Sequence, residues 1–127
     1  MAAAAPQKIA QIAIAVRDIE RAKGFYRDVL GLEWLGDAPP GLSFFRCGEV
    51  RLMLSQPEGP ETAGNSILYY GVEDAAEAHR ALAAQGVAFE QAPHVVGRLG
   101  DTEVTLAICR DSEGNLLGLM SERSVEA

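Results

Sequence analysis

One strand–helix–strand grammar occurs twice in this chain, and that repeat limits the possible folds more than any other feature. Gln11 to Leu35 (QIAIAVRDIERAKGFYRDVLGLEWL) reads as an apolar strand, Val-x-Asp, an amphipathic helix, glycine and the start of another strand. Ile67 to Glu90 (ILYYGVEDAAEAHRALAAQGVAFE) repeats the order. Val16 and Val72 stand 56 positions apart, and Gly31 and Gly86 stand 55 apart, so the copies keep step to within one residue. A period near half the chain length reads as a duplicated module.

Within the first copy, Ile12, Ile14 and Val16 point one way, and Gln11, Ala13 and Ala15 the other. The bulky face is expected to pack on a helix and the small face to line something open. Asp18 suits an N-cap for a helix over 19–30, with Ile19, Ala22, Phe25, Tyr26, Val29 and Leu30 as its apolar stripe. Gly31 is the expected left-handed C-cap. Leu32 to Leu35 begins a strand, 37–41 is a Pro/Gly loop, and Leu42–Cys47 with Val50–Ser55 form a hairpin across Gly48-Glu49. Residues 56–65 (QPEGPETAGN) read as a connector. The second copy predicts a strand over 67–72, a helix from Asp74 to about Gln85 with Glu77 completing a capping box, and a strand over 87–90. A closing hairpin pairs 102–109 with 115–121, and 123–127 is a loose tail. Each module reads β-α-β-β-β, so the fold class is α+β: two βαβββ modules in a curled mixed sheet around a cleft, helices on the outer face. The whole chain, 127 residues, is expected to be one domain, with modules near 9–56 and 66–122.

Composition narrows the function. A net charge of −7 argues against nucleic acid, which needs a basic surface. No apolar run approaches the ~20 residues of a membrane span, and MAAAAPQK reads as a frayed start rather than a secretory signal. Cys47 and Cys109 show no CxxC spacing and fit a reduced cytoplasmic protein.

FYRDVLGL at the end of the first helix, the final DSEGNLLGLM strand and the paired modules resemble the vicinal oxygen chelate superfamily, which includes lactoylglutathione lyase (glyoxalase), bleomycin- and fosfomycin-resistance proteins and extradiol dioxygenases. The resemblance spans roughly Ile9 to Glu122. It implies a small-molecule pocket built from two modules, and frequent homodimers. It also implies a divalent cation held by inward-pointing His, Gln or Glu on the first and last strand of each module. Those positions carry over to Gln11, Leu52 (Met53 if the register slips by one), Ile67 and Gly118. Of these Gln11 is the one match. A divalent cation needs several converging O or N donors, so the expectation is a member without the usual metal cofactor.

Alternation places Gln11, Ala13 and Ala15, Leu52, Leu54 and Gln56, Ile67, Tyr69 and Gly71, and Gly118, Met120 and Glu122 on the cleft face. The expected ligand-binding residues are Gln11, Leu52, Leu54, Ile67, Tyr69, Arg98 and Met120, around an apolar or aromatic molecule. Arg98 could hold an anionic group. Glu122 at a strand end and His94 in a loop after Pro93 are the candidate proton-transfer groups. His79 is expected on the surface of the second helix. Two readings follow: a glyoxalase/bleomycin-resistance-like binding protein, and a glyoxalase- or dioxygenase-type enzyme. The enzyme is either metal-independent through Gln11, Tyr69, His94 and Glu122, or metal-dependent through ligands outside the matched positions.

Overall fold

The computed structural model describes residues 9–56 and 66–125. The expected frayed start, most of the connector, and the last two residues lie outside the described residues. The chain divides into two compact units at Asn65/Ser66.

In the first unit, β1 (Gln11–Ala15) leads into α1 (Ile19–Gly24), which widens into one π turn over Phe25–Val29. β2 (Glu33–Ala38), β3 (Leu42–Cys47) and β4 (Val50–Ser55) follow. The sheet order is β1-β4-β3-β2, with β1 parallel to β4. The second unit holds β5 (Leu68–Gly71), α2 (Ala75–Ala84), β6 (Phe89–Leu99), β7 (Thr102–Arg110) and β8 (Leu116–Ser124). Its order is β5-β8-β7-β6, with β5 parallel to β8. The repeated grammar thus yields one topology twice, and the fold is α+β.

Local chemistry explains the helix boundaries. Asp18 accepts from the Arg21 N–H at 3.1 Å, and Asp74 from Ala76 and Glu77 at 2.9 and 3.2 Å, satisfying donors that a first turn leaves free. Glu77 pairs with Arg80. In the π turn the Leu30 N–H reaches back five residues to Phe25 at 2.9 Å. Gly31 and Gly86 then turn the chain out at φ +79° and +90°, conformations that favour glycine.

Each helix lies on one face of its own sheet. Ala22 and Tyr26 of the first helix are buried with Ile14, Val16, Phe45, Leu52 and Leu54, and the Tyr26 and Phe45 ring centroids stand 6.2 Å apart. In the second unit Ala75 and Leu82 are buried with Ala107, Cys109, Leu117 and Leu119. A polar hub sits at the edge of the first core. Asp37 accepts from Lys23 Nζ at 2.8 Å, from the buried Ser43 hydroxyl at 2.7 Å and from Trp34 Nε1 at 3.2 Å. The bond from Lys23, then that from Ser43, hold the Asp37 carboxyl below its ordinary range.

The DSEGN segment has a local explanation. Asp111 Oδ1 accepts from the Glu113 and Asn115 N–H groups at 2.8 and 2.9 Å, and its Oδ2 from the Asn115 amide at 3.0 Å. That carboxylate folds the turn before β8.

Three expectations are corrected. Residues 92–99 are strand rather than loop: β6 ends its sheet, and Pro93 falls in a bulge between Gln91 and His94, where it has no ladder partner. β8 continues through Arg123 and Ser124, where a loose tail was expected. His79 is half-buried, its ring edge-on to Phe89 at 4.4 Å, rather than a free surface residue.

Candidate functional site

The face of each sheet turned away from its helix is the candidate ligand surface. In the first unit, direct cross-strand partners assign it. Gln11 lies opposite Arg51, Ala13 opposite Met53 and Ala15 opposite Ser55; Met53 lies opposite Phe44 and Arg51 opposite Arg46. This face therefore carries Gln11, Ala13 and Ala15 beside Arg51, Met53, Ser55, Phe44 and Arg46.

Leu52 and Leu54, expected here, are on the other side. They pair with Ile12 and Ile14 and are 2% and 0% exposed beneath the helix. The error is a register slip of one residue in β4, which moves every side chain to the opposite face. Met53 takes the place assigned to Leu52. Gln11 holds its expected face: its Oε1 accepts from Arg51 Nε at 2.6 Å, and its amide nitrogen stands 3.8 Å from Met53 Sδ. Arg51 also lies over the Phe44 ring, 5.7 Å from its centroid. Sequence reasoning missed Arg51, although Val50–Ser55 alternates and the arginine is its single charge.

In the second unit Tyr69 lies opposite Gly118 and Gly71 opposite Met120. Ile108, Leu106 and Val104 of β7 lie opposite Gly118, Met120 and Glu122. His94 lies opposite Leu106, so His94, Met120 and Glu122 share this face, although His94 comes from β6 and not from a loop. The His94 Nδ1 stands 2.8 Å from the Ala92 carbonyl. Arg98 does not join them. It lies opposite Glu103, in the register that carries Arg123 and the helix-side Ser121. Ile67 precedes β5 and is 42% exposed, and Tyr69 is 51% exposed. Glu122 also borders a recess of about 300 Å³ with Glu73, Asp74, Glu103 and Arg123.

The positions that the resemblance assigns to metal ligands hold the following groups in each unit. Gln11 offers its oxygen to the Arg51 guanidinium. Met53 is a soft thioether and Ile67 has no donor. Gly118 is covered by Tyr69 so closely that an added Cβ would fall 2.3 Å from the ring Cδ1. Among the described residues no three His, Cys, Asp or Glu side chains gather as metal ligands. Burial raises the Cys47 and Cys109 thiols, and Cys109, with Asp111 nearby, is pushed up to about 11, far from the reactive thiolate range.

Comparison with known proteins decides the family. Residues 8–119 match the family model described as Glyoxalase/Bleomycin resistance protein/Dioxygenase superfamily. This chain belongs to that superfamily. Among solved structures of the superfamily's fold, lactoylglutathione lyase from Agrobacterium tumefaciens is similar at 25% identity and TM-score 0.73, covering 92% of this chain and 95% of that one. A superfamily member from Sphaerobacter thermophilus is similar at 21% identity and TM-score 0.77, over 91% of this chain and 98% of its own. An integron cassette protein from the V. cholerae mobile metagenome is similar at 22% identity and TM-score 0.73, over 92% and 96%. A search of curated proteins gives no match. No helix among the described residues is long and apolar enough to cross a membrane.

Proposed function

We propose that this superfamily member binds a small apolar or aromatic molecule on the helix-free faces of its sheets, without the divalent metal used by metal-dependent relatives. The observation that carries this reading is the pair of occupied metal positions: Gln11 is bonded to Arg51, and Tyr69 roofs Gly118. What surrounds them is apolar or small, with Ala13, Ala15, Met53 and Phe44 in one unit and Gly71, Leu106, Ile108 and Met120 in the other. Such lining, with a few polar groups to orient a ligand, suits a binding site. The protein acts as a cytoplasmic homodimer and a single domain in this reading; light scattering on the purified protein tests the dimer.

Metal analysis of protein purified without chelator tests the main point. The expected result is well below one equivalent of Ni, Zn, Fe or Mn. Stoichiometric metal that is lost in Gln11→Ala would overturn the reading. A panel of aromatic and electrophilic compounds then separates binding from catalysis, and binding without turnover is expected.

The similarity to lactoylglutathione lyase favours a second reading, an enzyme of that type working without metal. His94 and Glu122 would then move protons, with Gln11 and Tyr69 orienting the substrate. Turnover of any panel compound that is lost in both His94→Ala and Glu122→Gln would favour it over sequestration.

A further inference from the structure

Four residues form one row across the first sheet: Gln11 of β1, Arg51 of β4, Arg46 of β3 and Glu33 of β2 are successive cross-strand partners. Two guanidinium groups therefore stand side by side on neighbouring strands, in a chain whose net charge is −7. Like charges directly opposite one another weaken a sheet unless something offsets them. Glu33 supplies an acidic partner to Arg46, with Oε1 3.4 Å from Nε. Among the described residues Arg51 forms no ion pair, and its Nε donates to the neutral amide oxygen of Gln11 at 2.6 Å. Glu49 in the hairpin turn borders the same recess, and among the described residues it makes no ion pair with Arg51. A recess of about 230 Å³ opens here, lined by Ala10, Leu35, Arg46, Glu49, Val50 and Arg51.

Geometry also fixes the orientation of Arg51. Its Nε is bonded to Gln11 and its Cζ stands 5.7 Å from the Phe44 ring centroid, so two contacts hold the guanidinium. A guanidinium held in this way meets a carboxylate with two parallel hydrogen bonds and loses little freedom in doing so. Phe44, Met53 and Ala13 continue the same face and would receive the apolar remainder of the ligand.

We propose that Arg51, set by Gln11 and seconded by Arg46, is a carboxylate-binding site, and that the ligand of this protein is a small apolar or aromatic carboxylate. The inference deepens the ligand-binding reading above and rests on it. A fixed organic cation then takes the charge role that metal-dependent relatives give to an ion.

Calorimetric titration with benzoate and with its neutral isostere benzamide tests the proposal, together with the arginine Nε–H signals in a proton–nitrogen correlation spectrum. Benzoate is expected to bind at least about tenfold more tightly than benzamide, a ratio in keeping with one charge-assisted hydrogen-bonded pair. It should move one arginine signal that is absent in Arg51→Met. Arg51→Met should lose about that tenfold for benzoate and leave benzamide unchanged; Arg51→Lys should recover part of the loss. Glu49→Gln should tighten benzoate. Equal binding of the two probes, or an unaltered benzoate affinity in a folded Arg51→Met, overturns the carboxylate site while leaving apolar ligand binding intact. Failure of both probes to bind counts against both readings.

Discussion

Asp37 ties a helix lysine, a strand indole and a buried hydroxyl to one carboxylate. Lys23 and Ser43 lower its pKa, so its folded value lies below the unfolded one. The stability it contributes is present above the ordinary carboxylate range and lost as pH falls through its depressed folded value. Lys23 is raised, chiefly by its bond to Asp37, so its share is present below its ordinary range and lost only in strong alkali. Asp37→Asn should therefore lower the urea midpoint at pH 7, and the gap from the unaltered protein should close as pH is taken below the usual aspartate range. A gap independent of pH would mean that the hydroxyl and indole, not the charge, hold the hub. Gly118 offers a second residue-scale test. A methyl group there meets the Tyr69 ring at 2.3 Å, so Gly118→Ala should cost about 1–3 kcal/mol, the range for overpacking. The Tyr69→Ala background should remove most of that cost in urea denaturation. The residues of this face were readable from alternation where a strand announced itself, as at Gln11 and Tyr69. They were not readable on β4, where the expected register lay one residue out and exchanged Arg51 and Met53 for Leu52 and Leu54.

Both helices begin on an aspartate cap, and the cap of α2 takes two backbone donors. Asp74→Ala should cost about 1 kcal/mol of unfolding free energy. Asp74→Asn, which keeps the acceptor, should cost much less; equal losses would shift the explanation from hydrogen bonding to charge. Element order was legible because the signals are local: Val-x-Asp starts each helix, a glycine ends it, and Gly48 and Gly114 mark hairpins. β6 was illegible for the opposite reason. Pro93 and Gly97 carry the composition of a loop, and only pairing with β7 makes an extended strand of 89–99. Tertiary pairing overrides local preference there.

At the scale of the molecule, each unit buries residues of its own beneath its helix, Phe45 and Leu54 in the first and Leu117 and Leu119 in the second. The duplicated plan also explains where the halves differ. At equivalent places in the parallel pairs, a small Ala13 faces a large Met53, and a large Tyr69 faces Gly118. Bulk has changed strands while the space filled by each pair has been roughly kept. Twin scaffolds tolerate such an exchange only on the side that folding leaves ungoverned, so one twin has been free to become cationic and the other aromatic.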